Sequence, residues 1–162
     1  MKLFLIRHGK AEDGYPDETR RLTQEGTEII SNFFAWIMKH VPFDGKTIYH
    51  SGLIRAEQTA DILSRSMPKP PPLEMINDLE PMADPQKWLP RLSMNQDDLV
   101  LVGHNPHLTR LISLLIQGED HLPIVNMKKG MIVCLQRDEY SHWTLQWALS
   151  PKNIASKSGK NS

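Results

Sequence analysis

The chain is poor in cysteine. Cys134 stands alone among 162 residues, so no internal disulfide can form, and a reducing compartment is expected. Excess charge of either sign is also missing. Nineteen Lys and Arg offset nineteen Asp and Glu, and the isoelectric point lies near 7.1. This argues against a broad nucleic-acid footprint, and any positive potential must be local. Long apolar runs are absent. Leu3 to Ile6, ahead of Arg7 and His8, is too short for a signal peptide, and no segment reaches the ~20 apolar residues of a membrane span. There is no Gly-rich nucleotide-binding loop. The seven histidines include no pair at the spacing of a known metal site. These absences predict a soluble, cytoplasmic protein with no metal or other cofactor, and with neither nucleic acid nor membrane as partner.

What is present suffices for one compact domain. A chain of this length buries about 70% of its unfolded surface and needs no staple. Lys2 to Arg7 reads as a short, continuously apolar, buried strand. Lys10 to Arg21 is polar, with Gly14 and Pro16, and reads as a loop. Thr23 is placed to cap a helix whose Ile29, Ile30, Phe33, Phe34, Ile37 and Met38 recur at helical spacing. Gly26, in its first turn, suggests the close approach of another element. Lys46 to His50 reads as a second strand, followed by a helix with a stripe of Leu53, Ala56, Ala60, Leu63 and Met67. Leu73 to Ile76 reads as a short strand, Asp84 to Leu92 as weak helix, and Leu99 to Val102 as a strand. A helix follows Pro106 and stops near Gly118. Met131 to Gln136 and Trp143 to Leu149 read as a terminal hairpin. Residues 1–150 are expected to form the domain and 151–162 a flexible tail. The alternation predicts an α/β three-layer sandwich. Its central, mostly parallel sheet of about six strands carries helices on both faces and gains antiparallel edge strands from the hairpin.

Three strands end in chemistry. The first runs into Arg7-His8-Gly9, the second into Ser51-Gly52-Leu53-Ile54-Arg55-Ala56-Glu57-Gln58-Thr59-Ala60, and the third into Gly103-His104-Asn105-Pro106. Ligand sites in α/β folds lie at such strand ends. A neutral imidazole can attack a phosphoryl group without charge repulsion and form a phosphohistidine that water then hydrolyses. A strand-end histidine can also simply satisfy a backbone carbonyl. Arg7 and Arg55 suit bidentate binding of phosphate, and their charge would keep His8 neutral; Arg55 alone reads equally as a surface charge. His104 suits a hydrogen-bond donor to the transferring group, or a core histidine.

Together the three segments resemble the histidine phosphatase superfamily and, at this length, its SixA-type phosphohistidine phosphatases. The resemblance covers most of the chain. It implies His8 as nucleophile, Arg7, Arg55, His104 and Gly9 around the phosphate, and His104 across from His8. Arg20-Arg21-Leu22-Thr23 resembles a SixA-type stretch in which proline is usual where Arg21 stands. This makes Arg20 a candidate auxiliary ligand of phosphate or substrate. Larger members that cut phosphate esters carry an acid on an inserted segment. Here Met75 to Asp98 is short, and Glu80 is a candidate proton donor, with Glu12 and Asp13 as equally loose ones.

The resemblance implies a signalling enzyme that dephosphorylates phosphohistidine on a protein, such as a histidine phosphotransfer domain or a phosphocarrier. The alternatives are a small-molecule phosphate ester phosphatase of the same superfamily and a phosphoprotein-binding module without turnover.

Overall fold

The computed structural model describes residues 1–155. In chain order the elements are β1 (Lys2–Arg7), α1 (Gln24–His40), β2 (Ile48–His50), α2 (Ile54–Ser66), β3 (Leu73–Met75), α3 (Trp88–Met94), β4 (Leu99–Gly103), α4 (His107–Gln117), β5 (Ile132–Arg137), β6 (Trp143–Leu149) and α5 (Pro151–Ala155). Short 3-10 turns occupy Asp17–Thr19 and Pro85–Lys87. The six strands form one sheet in the order β3-β2-β4-β1-β5-β6. β3, β2, β4 and β1 are parallel neighbours, and β5 and β6 run antiparallel.

β1 reads as an unbroken apolar run because it is covered on both faces. Phe4 and Ile6 enter the core formed with α1 and α2, beside Ile30, Phe33, Phe34 and Leu63. Leu3 and Leu5 enter the opposite core with Trp88, Leu92, Leu108 and Leu111 from α3 and α4. This is the expected three-layer α/β sandwich. Thr23 caps α1 as expected, its Oγ1 accepting from Gly26 N at 2.9 Å. Gly26 lies so near the first loop that a Cβ there would sit 2.2 Å from the Lys10 carbonyl oxygen. That contact seats the start of α1 against the segment leaving β1.

Three details differ from the sequence reading. The hairpin supplies one edge strand: β5 lies between β1 and β6, because pairing its buried Ile132 to Leu135 with β1 removes more apolar surface from water. The weak helix at Asp84 begins as a 3-10 turn, with Asp84 Oδ1 accepting from Gln86 N, and runs on to Met94. The segment read as tail opens with α5, which packs on α1. Residues 156–162 lie outside the described part.

Parallel pairing aligns the strand ends. Arg7 pairs with Gly103, and His50 with Val102. The residues that follow, His8, Ser51 and His104, therefore emerge along one edge of the sheet.

Candidate active site

His8 leaves β1 with its main chain held by Gly103, whose carbonyl accepts from His8 N at 3.1 Å. The ring is 6% exposed. Its Nδ1 stands 2.7 Å from the Gly9 carbonyl oxygen. A carbonyl only accepts, so Nδ1 carries the proton and Nε2 keeps its lone pair. That lone pair faces the Nε of Arg55 at 3.4 Å, a long contact that an incoming electrophile can displace. Burial is the main reason the imidazole titrates low, at about 4. The bond to Gly9 opposes the shift, and the charges of Arg55, Arg7 and Lys129 deepen it. His8 is neutral at pH 7.

Arg55 lies in the first turn of α2 and is 3% exposed. The helix aims it at the strand ends, and a loop fixes its fork. Nη1 donates to the Asp17 carbonyl at 2.8 Å, and Nη2 to Asp17 Oδ2 at 2.9 Å. The same carboxylate accepts from Arg20 Nη1 at 2.9 Å, while Arg20 Nε donates to the Glu12 carbonyl at 2.6 Å. The Arg20 and Arg55 hydrogen bonds hold the Asp17 carboxyl below its usual range. Asp17 thus bridges two guanidinium groups and ties the loop after β1 over the site. One turn on from Arg55, Thr59 donates to the Arg55 carbonyl at 2.7 Å and accepts from Gly9 N at 3.1 Å. It couples α2 to the His8-Gly9 peptide.

Arg7 donates through Nη1 to the Met127 carbonyl at 2.8 Å, and its Nε is buried without a partner. Asn105 Nδ2 reaches the same carbonyl at 3.1 Å. The loop before β5 therefore braces both ends of the site. His104 is 1% exposed, and its ring centroid lies 5.0 Å from that of His8. Ser51 Oγ stands 2.6 Å from His104 Nε2, while Nδ1 is buried and unpartnered. Burial first, then repulsion from His8 once acid has protonated it and from Arg55, pushes His104 down to about 2. A neutral ring has one proton. If the Ser51 hydroxyl donates to Nε2, that proton is on Nδ1, leaving one unused N–H for a ligand.

The structure thus brings Arg7, His8, Gly9, Arg55 and His104 together. Arg20 joins them only through Asp17. Glu80 lies on the segment after β3, where its Oε2 accepts from Asp78 N at 2.8 Å. Ser51, Asp17, Thr59 and Lys129 carry no role in the sequence reading. The Arg55-to-Thr59 and Asp17-to-Arg20 spacings are local signals that could have flagged two of them. Lys129 and the Met127 carbonyl have none, since both arrive from far along the chain. Among the described residues no cluster of His, Cys, Asp or Glu could hold a metal ion, and no helix is long and apolar enough to cross a membrane.

A buried, neutral imidazole with a bare nitrogen, beside two guanidinium groups and a second neutral imidazole, is equipped to bind a phosphoryl group and attack it. The chain is also similar to known proteins. The sequence model of the histidine phosphatase superfamily (branch 1) matches residues 3–82. The phosphohistidine phosphatase SixA of Escherichia coli strain K12 is 28% identical over 159 residues, covering 95% of this chain and 96% of that protein. An uncharacterized protein of a Picosynechococcus species is 34% identical over 148 residues, covering 84% of this chain and 85% of its own. The structure of the protein histidine phosphatase SixA complexed with tungstate superposes with a TM-score of 0.82 at 26% identity, covering 95% of this chain and 99% of that one. The chain belongs to the histidine phosphatase superfamily.

Proposed function

We propose that this phosphatase hydrolyses phosphohistidine borne on a protein, through a covalent phosphohistidine at Nε2 of His8. Arg7, Arg55 and the Nδ1–H of His104 bind the phosphoryl oxygens and gain strength as charge builds in the transition state. His8 Nε2 forms the new P–N bond while the bond to the leaving imidazole breaks. Water then attacks phosphorus, releasing inorganic phosphate and restoring His8.

The observation that carries the substrate class is the state of the nearby carboxylates. Expelling an alkoxide from a phosphate ester requires a protonated donor within hydrogen-bond reach. Asp17 is held ionised by Arg20 and Arg55, and Glu80 is turned onto the Asp78 amide. An imidazole protonated at its other nitrogen leaves as a neutral molecule and needs no such donor. The similarity to SixA, a phosphohistidine phosphatase, points the same way. So does the shortness of the segment between β3 and β4, where larger members that cut phosphate esters carry an inserted acid.

The test is a comparison of kcat/KM on phosphoramidate and on a panel of histidine-phosphorylated phosphotransfer and phosphocarrier proteins with kcat/KM on sugar phosphates and phosphoserine. The P–N substrates should be favoured by at least about a hundredfold, the lower end of what a general acid contributes. Equal or better turnover of a sugar phosphate would instead support an ester phosphatase.

A further inference from the structure

A cleft of about 390 Å³, lined in part by Arg7, opens between the segment leaving β1, α1, the loop before β5 and the start of α5. Its floor and walls are Gly26, Ile29, Ile30 and Pro151, and lysines 10, 128, 129 and 152 border it. Two features set it apart from the catalytic pocket. Ile29 lies on the face of α1 that its spacing assigns to the core, yet it is 41% exposed because the cleft cuts in beside it. The bordering charge is also uncompensated. Lys10 is paired with Glu25, but Lys128, Lys129 and Lys152 are exposed and make no ion pair among the described residues. In a chain of zero formal net charge, this is a local concentration of positive potential. The charge of Lys129 is felt at the His8 imidazole.

Given the phosphoprotein reading above, on which this inference rests, we propose that the cleft is a docking groove for an acidic, partly apolar segment of the protein that carries the phosphohistidine. The residue types choose this occupant. The catalytic pocket uses guanidinium forks, which match the oxygens of one phosphate. The cleft uses ammonium groups on flexible stems, which act as point charges toward carboxylates spread along a surface. Between them, Ile29, Ile30 and Pro151 offer an apolar seat for a side chain such as leucine. An occupant seated there places its neighbouring residues against Arg7, at the mouth of the catalytic pocket. The groove therefore acts on encounter and KM and leaves the chemical step to His8.

The test uses the full chain and two synthetic peptides, each with one central histidine. One is flanked by Glu and Leu, the other by Ser and Gly. Fluorescence anisotropy on the unphosphorylated forms measures docking directly, and kinetics on the chemically phosphorylated forms measures its use. At low salt the acidic peptide should bind about tenfold more tightly than the neutral one and show a correspondingly lower KM with similar kcat, and high salt should erase the preference. The double variant Lys128→Glu, Lys152→Glu should lose the preference while turning over phosphoramidate at the wild-type rate, which also shows that it folds. Equal binding of the two peptides by the wild type, or a preference that survives in the double variant, overturns the proposal. Retention on phosphatidylserine vesicles without preference between the peptides assigns the cleft to a lipid surface and overturns it as well. Should the wild type hydrolyse neither phosphopeptide, the phosphohistidine reading fails, while anisotropy still decides the groove.

Discussion

The hydroxyl of Ser51 lies 2.6 Å from Nε2 of His104, and the opposite nitrogen of that buried ring has no partner. The two residues come from separate strand ends, which the parallel pairing of β2 with β4 sets side by side. The contact selects which nitrogen of His104 can serve the substrate. Ser51→Ala removes that selection and lets the ring reorient. It should lower kcat by about tenfold, or ~1.4 kcal/mol, with a smaller effect on KM. Ser51→Thr, which restores the hydroxyl, should recover most of the rate. A purely structural role for Ser51 would lower thermal stability and leave kcat per folded molecule unchanged.

Arg55 combines near-complete burial with bonds to both the carbonyl and the carboxylate of Asp17. Arg55→Ala removes a preorganised donor from the phosphoryl site and should cost about 3 kcal/mol in transition-state stabilisation, a hundredfold or more in kcat/KM. Arg55→Lys should rescue little, because an ammonium cannot make the forked contact. Steady-state kinetics on phosphoramidate checks both. Recovery to near wild-type by lysine would show that only a point charge is needed.

Glu80 accepts from the Asp78 amide and is not required by a leaving imidazole. Glu80→Gln should therefore change kcat/KM on phosphoramidate by less than about threefold, well under the hundredfold minimum of a working general acid. A collapse of ester hydrolysis in the same variant, from a wild type that cleaves esters well, would make Glu80 the proton donor.

Acid should act through the buried histidines. Folding depresses His8 and His107 to about 4 and His104 to about 2, burial being the largest cause for each. The unfolded chain takes up these protons near pH 6.5. The stability that depends on neutral rings is therefore complete above that value. It falls as pH drops, and for His8 and His107 the loss is finished near pH 4. Each ring steepens the decline by up to about 1.4 kcal/mol per pH unit. Calorimetry from pH 7.5 to 4.5 should show a falling Tm, with a shallower fall in His107→Gln. In the same buffers kcat/KM should hold down to about pH 6, because it reports the free enzyme. An acid limb centred at 6.5 would mean that His8 is not depressed.

How much of this was legible in the sequence follows from the range of each interaction. β1 and β4 announced themselves because burial on both faces demands continuous apolar residues. The capping of α1 was legible because Thr23 directly precedes the helical pattern. Arg7, His8, Arg55 and His104 were legible because each follows closely on an element whose boundary the sequence marks. Their supports were not. Ser51 reads as a turn residue until β2 is paired with β4, and Asp17 reads as loop until α2 delivers Arg55 to it. The position of β5 inside the sheet depends on a choice between strand partners that alternation within the hairpin does not encode. The lysine-bordered cleft joins the first loop, α1, the loop before β5 and α5, and no local pattern foreshadows it.

The central claim is that Nε2 of His8 carries the phosphoryl group during turnover. The most direct measurement is rapid quench of the enzyme with ³²P-labelled phosphoramidate, followed by mapping of the labelled peptide. The account predicts label on His8 as an acid-labile, base-stable adduct that forms within the first turnover and decays with release of inorganic phosphate. His8→Ala should yield neither adduct nor turnover. Near-normal turnover by His8→Ala, or an acid-stable adduct elsewhere in the chain, would contradict it.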